Sequence, residues 1–164
     1  MKYLVVGPEA SGTHYVLGLL RLNVNPGDEV HHRSMPLTCL EGDPRQPDYH
    51  GPRQEVWPNI DCYCRGMGPT KNVTIVLCWR HPDGTKRGQV RAGWSRDEEE
   101  ADKKLLGAWQ RIGRFMAETK YPFLVCTYES LETRQGREAF LAQIQLPLKQ
   151  DKEFVNGNTK YWAD

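Results

Sequence analysis

The first regular pattern of the chain is the apolar run Tyr3-Leu4-Val5-Val6, which continues into Gly7-Pro8-Glu9-Ala10-Ser11-Gly12-Thr13-His14. A short apolar run that ends in glycine and proline is typical of a strand buried on both faces, as in a parallel sheet under helices. Apolar residues at helical spacing follow, and they predict a helix from Gly12 to Leu22. The sequence therefore predicts a strand, a glycine-containing loop and a helix in direct succession.

Strands and helices alternate through most of the remaining sequence. Further strands are predicted near Asp28–His32, Val73–Trp79 and Pro122–Tyr128. Further helices are predicted near Gly84–Gly93, Asp97–Thr119 and Gln135–Ile144. The longest helix is expected to bury one face made of Leu105, Leu106, Trp109, Ile112, Phe115 and Met116. Such alternation requires crossover connections, so we expect a three-layer α/β fold in which helices flank a mostly parallel sheet.

The segment from about residue 34 to residue 72 interrupts this pattern. It is rich in proline and keeps no lasting period: it contains Pro36, Pro44, Pro47, Pro52, Pro58 and Pro69. Irregular segments of this length in compact domains usually serve as lids or binding loops. We therefore expect one domain over residues 1–164, with an irregular insertion above its active face.

Composition narrows the classes of function. The 22 basic and 21 acidic side chains nearly cancel, which argues against a nucleic-acid partner. No apolar window reaches membrane-spanning length, and the amino-terminal apolar run is too short for a signal peptide. The odd number of cysteines, five, does not suggest a secreted disulfide framework. These features predict a cytoplasmic protein without a membrane partner, and they leave the oligomeric state open.

The loop that follows the first strand has the composition of a phosphate cradle. Gly7 and Gly12 have the spacing of the two glycines in the nucleotide P-loop pattern, and the new helix adds its N–H groups and positive dipole end. That pattern continues with Lys and Ser/Thr, whereas this chain has Thr13 and His14. Ordinary triphosphate hydrolysis is therefore disfavoured. A valine at position 12 is expected to block phosphate binding and to leave the fold largely intact.

The order G-x-x-x-S-G-T at the start of the first helix resembles the 5′-phosphosulfate loop of the sulfotransferases. This resemblance implies a P-loop NTPase-like, sulfotransferase-like fold. It also implies that the donor is 3′-phosphoadenosine 5′-phosphosulfate (PAPS), held without a metal. The groups implied to hold the phosphosulfate are those of Gly7, Ala10, Ser11, Gly12 and Thr13. The acceptor would carry a hydroxyl or an amine.

Three later segments extend the resemblance. Arg80-His81-Pro82 resembles the Arg-x-Pro segment whose arginine holds the donor's 3′-phosphate, although the family's serine eight residues on is Gly88 here. The stretch from Val125 to Leu131 resembles the family's Tyr-Glu-Asp-Leu segment, where Glu129 is expected to act as a structural anchor. Lys160, in a late basic segment, is a further possible contact for the 3′-phosphate.

Histidines are the candidate bases for the acceptor. Many sulfotransferases have a lysine in the phosphosulfate loop, at the place of Glu9 or Ala10, and a histidine after the second strand. The resemblance makes His32 the first candidate base, with Arg33 as its charge partner, and His14 a further candidate. In a strand only one of His31 and His32 can face the site.

Two other readings stay open. A divergent P-loop nucleotide kinase or NTPase would need Mg²⁺ and a lysine from elsewhere in the chain. A non-catalytic nucleotide-binding module would use the proline-rich segment to bind a protein partner. No metal is expected, although Cys62 and Cys64, with Cys39, His50 and the His31/His32 pair, form an alternative zinc set.

Overall fold

A computed structural model describes residues 1–35 and 70–154, which form an α/β arrangement around one four-stranded sheet. Its strands are β1 (Lys2–Pro8), β2 (Glu29–Met35), β3 (Val73–Trp79) and β4 (Phe123–Thr127). They lie in the order β2-β1-β3-β4, and each neighbouring pair is parallel. The helices are α1 (Thr13–Asn23), α2 (Pro82–Arg91), α3 (Glu98–Glu118) and α4 (Arg134–Ala142). Short 3₁₀ turns cover Thr70–Asn72 and Tyr128–Glu132. The expected α/β class with a parallel sheet is confirmed.

Each face of the sheet has its own apolar cluster, because alternate strand residues point to opposite faces. One cluster joins the sheet to α3 and contains Leu4, Val6, Val73, Ile75, Leu77, Ile112, Phe115 and Tyr121. The other joins the sheet to α1 and α4 and includes Tyr3, Val5, Val16, Leu19, Leu20, Val76, Phe140 and Leu141. Helices therefore cover both faces, as the continuous apolar runs of β1 and β3 predict.

The helix boundaries follow from local capping chemistry. Asp97 caps α3 by accepting a hydrogen bond from the Glu100 N–H at 2.8 Å, close to the predicted start. The predicted start of α2 at Gly84 is too late, because Pro82 takes the first helical position behind the N-cap His81. The prediction that Leu106 lies on the buried face of α3 is wrong, since this side chain is 61% exposed.

The second strand is longer than its sequence pattern predicts. It ends at Met35 rather than at His32, because its backbone pairs in parallel with β1 as far as Pro8. Ladder hydrogen bonds to a neighbouring strand therefore extend β2 into the start of the predicted insertion. The remainder of that insertion, residues 36–69, and the tail from residue 155 lie outside the described residues.

The strand order creates a crevice between β1 and β3. The chain leaves β1 through α1 toward β2 on one side, and it leaves β3 through α2 and α3 toward β4 on the other. In open parallel sheets, ligands bind outside the carboxyl ends of the strands where the connections diverge in this way. The loop after β1 and the segment after β3 meet at this point.

Candidate functional site

The centre of the candidate site is the β1–α1 loop, residues 7–13, at the carboxyl edge of the sheet. Gly7 packs against β3: a Cβ placed on it would overlap the Ser11 hydroxyl oxygen and lie 2.8 Å from the carbonyl oxygen of Cys78. Only a residue without a side chain allows the loop to fold back so closely on the neighbouring strand. The loop is therefore held directly above the crevice between β1 and β3.

The backbone of the loop adopts an anion-binding shape. Gly12 has a left-handed conformation, with φ of 87°, and the helical residue Thr13 follows it. A left-handed residue followed by a right-handed one turns successive N–H groups into one concavity. Gly12 is also the N-cap of α1, so the positive end of the helix dipole lies at this concavity. The geometry suits a phosphate or sulfate group.

Three consecutive carbonyl groups of the loop accept hydrogen bonds, one from the loop itself and two from side chains of the β3–α2 segment. The Pro8 carbonyl accepts from the Ser11 N–H at 3.1 Å. The Glu9 carbonyl accepts from Gln89 Nε2 at 3.2 Å, and the Ala10 carbonyl accepts from Arg80 Nη1 at 2.7 Å. Because the N–H and C=O of a trans peptide point in opposite directions, these bonds keep the negative ends of the loop peptides away from the concavity.

Arg80 and Tyr128 support the loop from the other side. Arg80 is 4% exposed, and its guanidinium carbon lies 4.9 Å from the centre of the Tyr128 ring. The same ring lies against Gly12, so a Cβ on Gly12 would overlap it, with Cε2 only 2.6 Å away. Packing thus requires glycine at both positions, and at Gly12 the left-handed backbone requires it as well.

An aromatic cluster of Tyr15, Tyr128 and Phe154 adjoins this support. The Phe154 ring lies 5.0 Å from the ring centres of both tyrosines, edge-on to Tyr15. Burial raises the pKa of Tyr15 to about 12, and its hydroxyl donates to the Lys152 carbonyl at 2.8 Å. Helix α1 and residues 152–154 are therefore joined beside the loop.

The carboxyl-terminal segment, residues 146–154, is fixed by two polar anchors. The Asn23 carboxamide accepts from the N–H groups of Lys149 and Gln150 and donates to the Gln150 carbonyl. Arg137 binds Asp151 in a bidentate pair, at 2.6 and 2.9 Å, which holds the pKa of that carboxyl below its usual range. These anchors place Phe154 at the aromatic cluster.

Glu129 links the ends of β3 and β4. Its Oε1 accepts from the His81 N–H at 2.9 Å, so its predicted role as a structural anchor is confirmed.

The side chains close to Gly88, the position at which the family has its serine, make contacts within the protein. The Thr85 hydroxyl donates to the His81 carbonyl, Lys86 pairs with Asp83 and Asp102, and Arg87 pairs with Glu98.

The predicted site residues fall into two groups: those that meet at the loop, and the histidines, which lie apart from one another. The structure brings together Gly7, Ala10, Ser11, Gly12, Thr13 and Arg80. His14 is exposed in the first turn of α1. The backbone of His32 lies in β2 in register with Val5, before the loop begins, and its side chain is outside the described part of the structure. The His31 imidazole is 2.9 Å from the Glu29 carboxylate.

Several candidates lie in the parts of the chain that the structure does not describe: Lys160, Cys39, His50, Cys62 and Cys64. Within residues 1–35 and 70–154, no group of three His, Cys, Asp or Glu side chains is arranged to hold a metal ion. Cys78 and Cys126 are buried core residues, and burial raises the pKa of Cys126 to about 12. Of the helices described, none has the length and apolar character needed to cross a membrane.

The sequence pattern does not reveal Gln89. It lies on α2, nine positions after Arg80, with its side chain fully buried against the loop. A polar residue within a short, mostly polar helix looks like a surface residue in the sequence, so no sequence pattern marks Gln89 as part of the site.

Comparisons of the chain with protein-family models, curated proteins and solved structures find no match.

Proposed function

We propose that the β1–α1 loop binds the phosphate groups of a nucleotide and that the protein is a PAPS-dependent sulfotransferase. The observation that carries this proposal is the loop backbone. Gly12 is left-handed at the start of α1, above the crevice between β1 and β3, and the preceding carbonyls are tied away from the concavity. The resemblance of the G-x-x-x-S-G-T order to the phosphosulfate loop supplies the identity of the donor.

The groups at the loop fit a phosphosulfate better than a triphosphate. The position of the P-loop lysine is taken by Thr13, which is buried. Among the described residues, the cation bound to the loop is Arg80, whose Nη1 is directed at the Ala10 carbonyl. A donor whose phosphosulfate needs fewer compensating cations than Mg·ATP suits such a loop. The hydroxyl of Ser11 is buried there, and no hydrogen-bond partner for it lies among the described residues.

The transfer would use these groups in the following way. The N–H groups of Ala10, Gly12, Thr13 and His14, with the Ser11 hydroxyl, would hold the 5′-phosphosulfate. The acceptor oxygen or nitrogen forms a bond to sulfur, and the bond from sulfur to the bridging phosphate oxygen breaks. That oxygen keeps the electron pair, which the N–H groups stabilise. The acceptor proton passes to a base, for which His32 remains the first candidate and His14 the second.

Calorimetric titration tests the proposed function. Adenosine 3′,5′-bisphosphate, the product left by the donor, should bind in the presence of a chelator, and Mg²⁺ should not change its affinity. ATP should bind more weakly, with or without Mg²⁺. A preference for Mg·ATP would favour a nucleotide kinase or NTPase. Binding of neither nucleotide would leave a module that acts through a protein partner.

A further inference from the structure

Gln89 is an unusual residue for a buried position. Its side chain is fully inaccessible on α2, although glutamine is mostly exposed in folded proteins. Its Nε2 donates to the Glu9 carbonyl at 3.2 Å, which fixes the orientation of the amide, since only the nitrogen can donate to a carbonyl. The other end, Oε1, is buried and has no hydrogen-bond partner among the described residues.

Among the described residues, the Gln89 oxygen makes no hydrogen bond that would account for a glutamine at this buried position. A buried acceptor without a donor destabilises the folded state, and an apolar side chain of the same size would avoid this cost. The contact that Gln89 makes therefore calls for another role. Its only described side-chain bond goes to the loop that carries the proposed function.

The backbone of Gln89 is fixed independently of the loop. Its carbonyl accepts from the N–H groups of Trp94 and Ser95, at 2.9 and 3.3 Å, in the turn that ends α2. Gly93, in the left-handed conformation, forms this turn. The Gln89 side chain is thus presented to Glu9 from a rigid position.

We propose that Gln89 is a positioning residue that sets the peptide plane between Glu9 and Ala10. By holding the Glu9 carbonyl against α2, it turns the Ala10 N–H to the opposite side, toward the phosphate concavity. Arg80 holds the next carbonyl, that of Ala10, so two side chains of the β3–α2 segment orient two consecutive peptides. The proposal rests on the proposed function of the loop, but the loop geometry itself is measurable without a ligand.

The test compares Gln89→Leu with Gln110→Leu, the same change at an exposed position of α3. Amide chemical shifts and hydrogen exchange of Ala10, Ser11 and Gly12 are measured in the ligand-free proteins. Gln89→Leu should shift these amides and speed their exchange, and Gln110→Leu should leave them unchanged. Thermal unfolding should show that both variants fold; if Gln89→Leu does not, Gln89→Met, which is unbranched and of similar length, replaces it.

Titration with adenosine 3′,5′-bisphosphate completes the test. Gln89→Leu should weaken binding about tenfold, the usual effect of losing one hydrogen bond that orders a site. Unchanged loop amides in a folded Gln89 variant would overturn the proposal. Altered loop amides, in a protein whose parent form binds no nucleotide, would confirm the positioning role and refute the proposed function of the loop.

Discussion

Replacing Gly12 by alanine is expected to lower the free energy of unfolding by about 2–5 kcal/mol, from backbone strain and overpacking together. Gly12 has φ of 87°, and its Cα faces the ring of Tyr128, which is 5% exposed. A methyl group there would overlap this ring, and the ring is held by Tyr15 and Phe154. Urea unfolding followed by circular dichroism measures the loss.

Gly27 provides the matched control for this substitution. Its φ of 89° is nearly the same, and no atom lies within 4 Å of the position that a Cβ would take. Gly27→Ala should therefore show the backbone strain alone, about 1–2 kcal/mol. If the two variants lost the same free energy of unfolding, the close packing of Tyr128 against Gly12 would add no cost to the substitution. The expectation that a valine at position 12 leaves the fold largely intact stays a prediction, and the Tyr128 ring that fills this space adds a cost in stability that the sequence did not indicate.

Replacing Arg80 by methionine is expected to weaken nucleotide binding by roughly tenfold to a hundredfold, the value of one charge-assisted hydrogen bond. The guanidinium holds the Ala10 carbonyl and stacks on Tyr128, so its loss releases the loop on both sides. This loss should affect AMP and adenosine 3′,5′-bisphosphate alike. Calorimetric titration of both ligands measures it.

The same experiment tests the separate prediction that Arg80 contacts the 3′-phosphate. Such a contact would add a further loss for the bisphosphate, whereas equal losses would show that Arg80 does not recognise the 3′ group. An AMP affinity equal to that of the parent would contradict the role of Arg80 in the loop. Arg96→Met is the control, because Arg96 is 87% exposed and pairs with Glu100 away from the site.

The regular elements could be predicted from the sequence because their signals are local. The apolar runs of β1 and β3 and the acidic first turn of α3 depend on nearby residues alone, and the elements they predict are present. The length of β2 could not be predicted in this way. Its last residues are strand because they pair with β1, and this pairing joins residues far apart in the chain.

The site could be predicted only in part, for a similar reason. Glycine spacing identified the loop, because a backbone that approaches phosphate closely needs glycine wherever it occurs. Besides Arg80, the support behind the loop includes Gln89 and Tyr128, which reach it from distant elements. Side chains that act through tertiary contacts carry no signature in a single sequence, so the reason why Gly12 must be glycine was found only in the structure.

The central claim is that the β1–α1 loop binds nucleotide phosphate through its backbone, and amide mapping tests it most directly. The isotope-labelled protein is titrated with adenosine 3′,5′-bisphosphate in the presence of a chelator, and each amide shift is followed. The largest changes are expected at Gly12, Thr13 and His14, with little change in the exposed face of α3 around Gln110. Saturable shifts located elsewhere, with these three amides unmoved, would contradict the claim.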